Sequence, residues 1–118
     1  MTTLTDLASR RCQPCGSELS PLSAEQVRDY LHALPDWSIT DDGCRIRRKW
    51  RAKDFMAALN FFQRIAEVAE AEDHHPDLHL TNYRDVAIEL WTHALGGLSE
   101  NDFILAARIN QLPIELKK

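Results

Sequence analysis

KDFMAALNFFQRIAEVAEAED, residues 53–73, is the stretch that decides how the chain folds. Phe55, Leu59, Phe62, Ile65, Ala66 and Ala69 recur every three or four residues, which puts them on one side of an α-helix and predicts a helix from Lys53 to Asp73. An apolar stripe of that length must cover something. The segments on either side alternate with the two-residue period of strands, so the helix is expected to lie on the face of a sheet.

Working outward toward the N-terminus, Trp37 to Thr40 and Cys44 to Arg51 alternate around the turn Asp41-Asp42-Gly43 and predict a β-hairpin. In its second strand Cys44, Ile46, Arg48 and Trp50 take one face. Arg45, Arg47, Lys49 and Arg51 take the other, read as the solvated outer face of an antiparallel sheet rather than an anion site. Ser23-Ala24-Glu25-Gln26 is a capping box, and Val27, Tyr30, Leu31 and Leu34 continue it as a helix over about 24–34, ended by Pro35. Toward the C-terminus, Leu78-His79-Leu80 and Asp85 to Thr92 form a second strand pair. Val86, Ile88 and Leu90 share its buried face, and Ala87, Glu89, Trp91 and His93 the other. Gly96-Gly97 breaks the chain, and Ser99 with Asp102 three residues later opens a last helix carrying Phe103, Ile104, Ala107 and Ile109. The expected order is α-β-β-α-β-β-α, an α+β fold with a four-stranded antiparallel sheet and three helices packed on one face.

With 118 residues and 44% hydrophobic composition, the chain suits one domain that buries about two thirds of the surface its unfolded form exposes. A net charge of -4 gives no general reason to expect nucleic-acid or anionic-membrane partners. Residues 1–20 hold no apolar run suited to a signal peptide or a membrane span, so a cytoplasmic location is expected, with 1–20 a flexible arm before a single domain over 21–118. Cys12-Gln13-Pro14-Cys15 in that arm could be half of a zinc site or a redox pair. Only Cys44 remains as a further cysteine, so two reduced thiols are expected.

Four of the five histidines lie between positions 74 and 93. Such a density points to acid/base work, metal binding or a structural role, since histidine exchanges protons near neutral pH and is a common ligand. Glu70 and His74, four apart, would share a helix face, where the carboxylate can orient the imidazole. Pro76 disfavours helical backbone at His75, so the helix should end near His74 and the two rings diverge. A zinc site from His74, His75 and His79 or His93 is the metal alternative, although adjacent histidines on a breaking helix converge poorly on a tetrahedral ion. Asp102 is explained equally well by capping or by a place in the site, Tyr83 by packing between strands, and His32 and His79 by surface positions.

Glu70, His74-His75-Pro76, Tyr83, His93 and Asp102, at these spacings, resemble the signature of the pterin-4a-carbinolamine dehydratases. Gly96-Gly97-Leu98-Ser99-Glu100-Asn101-Asp102 resembles the segment that opens that family's last helix. The similarity runs over about 22–112. It implies the same α-β-β-α-β-β-α fold and elimination of water from 4a-hydroxytetrahydrobiopterin to give quinonoid dihydropterin, which recycles the pterin cofactor of aromatic amino acid hydroxylases. It implies no metal or organic cofactor, a small-molecule pterin as partner, and a homodimer or homotetramer. His74, His75 and His93 fall on the family's histidine positions, and Glu70, Pro76 and Asp102 on supporting ones. Leu78 departs from the pattern, because many members carry an aromatic residue there. A role as a dimerisation or interaction partner of another protein is the alternative from a different class.

Overall fold

The computed structural model describes residues 4–9, 12 and 21–118. Three helices and two hairpins stand where the sequence pattern places them. A short N-terminal helix is added, giving α1 (Leu4–Ser9), α2 (Ala24–Ala33), β1 (Ser38–Ile39), β2 (Ile46–Arg51), α3 (Phe55–Glu72), β3 (Asp77–Thr81), β4 (Asp85–Leu90), a 3-10 turn (His93–Leu95) and α4 (Glu100–Asn110). Local chemistry sets the boundaries. The predicted capping box opens α2, with Ser23 accepting from the Gln26 amide and Gln26 accepting from that of Ser23. Asp54 caps α3 by accepting from Ala57 N (2.8 Å).

The four strands form one antiparallel sheet in the order β1-β2-β4-β3, so the two hairpins join along β2 and β4. Register pairs Ile46 with Leu90, Arg48 with Ile88 and Trp50 with Val86, and these side chains line the face turned to the helices. Ile46, Trp50, Val86, Ile88 and Leu90 meet Val27, Phe61, Ile65, Phe103 and Ile104 there in one continuous core. The opposite face presents Arg45, Arg47, Lys49 and Arg51, partly neutralised by Glu89 and Asp85.

Three expectations need correction. The buried face of α3 is Ala57, Ala58, Phe61, Ile65, Ala69 and Glu72, while Phe55 and Leu59 remain 49% and 38% exposed. The helix carries two apolar stripes, and the one richer in alanine lets the backbone approach α4 closely. Tyr83 does not pack between strands. It sits 53% exposed in the β3–β4 turn with positive φ, under the Arg84 guanidinium. The flexible arm expected over 1–20 does not describe residues 4–9, because α1 packs on α4 with Leu7 fully buried in the core. Cys12 is half-buried against the same core, its thiol directed at the Asn101 carbonyl (3.8 Å). Cys15 and the rest of that span lie outside the described residues.

Candidate active site

The last turn of α3 decides where the histidines point. Asp73 adopts the left-handed conformation (φ 51, ψ 42), which an aspartate tolerates better than most residues, and the His74 amide closes the helix on the Ala69 carbonyl (3.1 Å). The chain therefore leaves the helical path one residue before His74. That turn removes His74 from the face carrying Glu70 and sends its ring inward, to 4% exposure.

Consequently the expected Glu70–His74 pair does not form. Glu70 Oε1 lies 2.9 Å from His75 Nε2, both side chains at the surface, and His74 Nε2 pairs instead with Asp102 Oδ1 at 2.7 Å in the interior. Asp102, fully buried, does two jobs with its two oxygens. Oδ2 accepts from the Ser99 amide (2.9 Å) at the start of α4 and from the Thr92 hydroxyl (2.9 Å), while Oδ1 receives His74. Because the single Thr92 proton points at Asp102, the Thr92–Ser99 contact (2.7 Å) must take its proton from Ser99. Three donors thus converge on one buried carboxylate. As one of these donors His74 carries a proton on Nε2, which in the neutral ring leaves Nδ1 as the acceptor, and Nδ1 has no hydrogen-bond partner among the described residues.

His93 comes from the other side of the site. Strand β4 stops at Leu90, earlier than the alternation suggests, and His93 opens the 3-10 turn, exposed, with a Thr92–Gly97 bridge and left-handed Gly96 closing the loop behind it. The His93 ring stacks on Trp91 with centroids 4.1 Å apart and planes at 30°. Trp91 Nε1–H donates to Asp77 Oδ2 (3.2 Å), and the Arg45 guanidinium lies 4.8 Å over the indole. Arg45 is held in turn by Glu89 (3.0 Å), a hydrogen bond that raises its pKa above the ordinary arginine value. A groove of about 500 Å³ opens beside Arg45 on the outer sheet face, lined by Thr40, Arg45, Arg47, Lys49 and Glu89 among others, with no histidine on its wall.

The structure thus gathers His74, Asp102 and the backbone of His93 through Thr92, and places His75 with Glu70 at the surface. His79 sits on the outer face, 3.8 Å from Glu89, and His32 is an exposed residue of α2. Ser99 was read as the cap partner of Asp102, whereas the contacts of Thr92, Trp91 and Asp77 were missed by sequence reasoning. The one available signal was that Trp91 shares a face with His93 in the alternation of residues 85–93. Among the described residues no three His, Cys, Asp or Glu side chains are grouped as a metal site, and no helix is long and apolar enough to cross a membrane.

A family model described as pterin 4 alpha carbinolamine dehydratase matches residues 20–112. The mitochondrial pterin-4-alpha-carbinolamine dehydratase 2 of Arabidopsis thaliana is 47% identical over 116 residues, covering 96% of this chain and 62% of the plant protein, which is thus substantially longer. A putative pterin-4-alpha-carbinolamine dehydratase of Halorhodospira halophila is 42% identical over 90% of this chain and 96% of its own. Among solved structures, the transcriptional coactivator/pterin dehydratase from Brucella melitensis superimposes with a TM-score of 0.72 at 33% identity, over 77% of this chain and 96% of that one.

Proposed function

Because the chain belongs to the pterin-4α-carbinolamine dehydratase family, a family of hydro-lyases, we propose that it eliminates water from 4a-hydroxytetrahydrobiopterin, with His74, His75 and His93 sharing the work. In that reaction an acid protonates the 4a-hydroxyl, the C4a–O bond breaks and water departs. A base takes the proton of the adjacent ring N–H, whose electron pair becomes the C=N bond of the quinonoid product. Each such proton transfer by a placed side chain contributes about 10²- to 10⁴-fold.

The observation that carries the reading is the contrast in how the three rings are held. His75 and His93 are exposed and able to exchange protons with solvent, so they are the acid and base. His74 is buried with its Nε2 fixed on Asp102, so it is best suited to hold the substrate through Nδ1. Glu70 steadies His75 at the rim, and Pro76 keeps His75 out of helical backbone. No residue of this set needs a metal to perform its part. The test is a steady-state comparison of alanine variants at all five histidines, with and without chelator. Losses confined to His74, His75 and His93 support the assignment, and near-wild-type turnover in those three or abolition by chelator alone overturns it.

Self-association accompanies this reading. Phe55, Met56 and Leu59 project 49%, 61% and 38% exposed from the first turns of α3, and among the described residues β3 is an unpaired sheet edge; a second copy of the chain can cover such surfaces. Light scattering at micromolar concentration is expected to give a multiple of the 13.5 kDa chain mass, and a mass of one chain overturns the assembly.

A further inference from the structure

His93 has an exposed ring on a three-residue turn. Among the described residues no hydrogen bond reaches that ring, and its one ring contact is the indole of Trp91. Left alone, such a side chain samples several rotamers. Trp91 itself is fixed on two sides, its Nε1–H on Asp77 (3.2 Å) and its face under Arg45 (4.8 Å). Arg45 lies 3.0 Å from Glu89 and 3.8 Å from Asp77, so the cation is anchored by two carboxylates. Asp77 also follows His75-Pro76 directly and is paired in register with Glu89 of β4.

We infer that Trp91, seated by Asp77 and Arg45, is a positioning residue that holds the His93 ring and fixes it relative to the His75 segment. The inference deepens the proposed function and rests on His93 acting in proton transfer. Its geometric content is a second tie between the two histidine-bearing segments. Asp102 links His74 to Thr92 in the interior, and Asp77–Trp91 links the residue after His75-Pro76 to the strand end before His93 at the rim. A tryptophan suits the place because one ring supplies both a stacking face and an N–H. Phenylalanine keeps the first and loses the second.

A ring stack of this kind biases a side-chain population by roughly 2- to 12-fold, and the hydrogen bond to Asp77 adds a bias of similar size. Trp91→Leu is therefore expected to lower kcat about tenfold or more while KM moves less than about threefold, and Trp91→Phe to recover part of the loss. The independent readout is the NMR signal of the His93 ring protons, assigned by comparison with His93→Gln. Stacking at 4.1 Å displaces those signals by the indole ring current, and Trp91→Leu should return them to the positions of a free histidine. His93 signals that do not move in Trp91→Leu overturn the inference, as does full turnover in Trp91→Leu when His93→Ala is impaired. Full turnover in His93→Ala instead removes the reading beneath it, so the two failures are told apart.

Discussion

Replacing Asp102 by Asn tests the buried network without changing its shape. The carboxylate is fully buried and holds three partners, His74 Nε2 at 2.7 Å and Thr92 Oγ1 and Ser99 N at 2.9 Å each. With its carbonyl oxygen in the place of Oδ2, Asn keeps the Thr92 and Ser99 bonds, so its NH2 group must face His74 Nε2. Two donors cannot share that contact. The neutral imidazole then has to move its proton to Nδ1 and accept from the amide, which turns the nitrogen offered to substrate from an acceptor into a donor. A hydrogen bond to a charged group contributes about 1.5–3 kcal/mol and a neutral one about 1 kcal/mol, and all three bonds lose the charge, so Asp102→Asn is expected to lose about 1.5–6 kcal/mol of stability. For a chain of this size that is a fall in Tm of about 6–24 °C. The rate at low substrate should also fall, by about 10- to 10²-fold in kcat/KM, because the nitrogen that holds the substrate has changed from an acceptor into a donor. Steady-state kinetics, urea unfolding and ¹⁵N shifts of the His74 ring read the three consequences separately. Wild-type turnover with the Nε2–H tautomer retained would refute the reasoning. Asp102→Ala should behave differently, leaving three buried donors short at about 1–3 kcal/mol each and the fold severely weakened.

Three further outcomes are expected. Glu70→Gln breaks a pair whose side chains are 53% and 78% exposed, so kcat should fall no more than about fivefold with the unfolding midpoint unchanged, in contrast to the loss at Asp102. Arg108→Met leaves the Glu72 carboxylate, whose side chain is 2% exposed, without the guanidinium 2.9 Å away; with Arg108 itself a quarter exposed, urea unfolding should show a loss of about 2–3 kcal/mol that Glu72→Gln partly restores. Asp42 accepts from the Thr40 hydroxyl (2.6 Å) and the Cys44 amide (3.0 Å) in the β1–β2 turn, and the Thr40 bond is the largest cause holding its pKa below the ordinary 3.8. A lowered folded-state value means that this stabilisation is present above the unfolded pKa and is lost as pH falls through the folded one. The stability difference between the wild-type chain and Asp42→Asn should therefore be constant above about pH 5 and shrink toward acid.

The strand and helix pattern was legible because it rests on periodicity, and periodicity survives in a single sequence. What it could not give was phase on α3. Phe55, Leu59, Phe62 and Ala66 make as regular a stripe as Ala57, Phe61, Ile65 and Ala69, and bulk alone favours the first. Which stripe faces inward depends on how closely the backbone must approach α4 and the sheet, a property of the partners. The short helix at residues 4–9 escaped for a related reason. Six residues make almost no helix on their own, so α1 exists through its docking on α4, which no local pattern announces.

Around the histidines, spacing alone assigns the wrong partners. The four-residue step from Glu70 to His74 means contact only while the helix continues, and a left-handed Asp73 ends it one residue too soon. The same turn that parts His74 from Glu70 delivers it to Asp102, 28 residues away, and leaves Glu70 within reach of His75 five positions on. The sequence explains Asp102 equally well as a cap or as a site residue. In the structure one oxygen accepts from the start of α4 and the other pairs with the His74 imidazole. This economy has a mechanical consequence. α4 begins at the residue that fixes His74, and the Thr92 hydroxyl on the same carboxylate precedes His93, so any shift of the α4 terminus moves both histidine segments together. Their relative placement is preserved better by this shared anchor than by two independent ones, and a substitution at Ser99 that weakens the helix start should therefore disturb His74 and His93 as a pair.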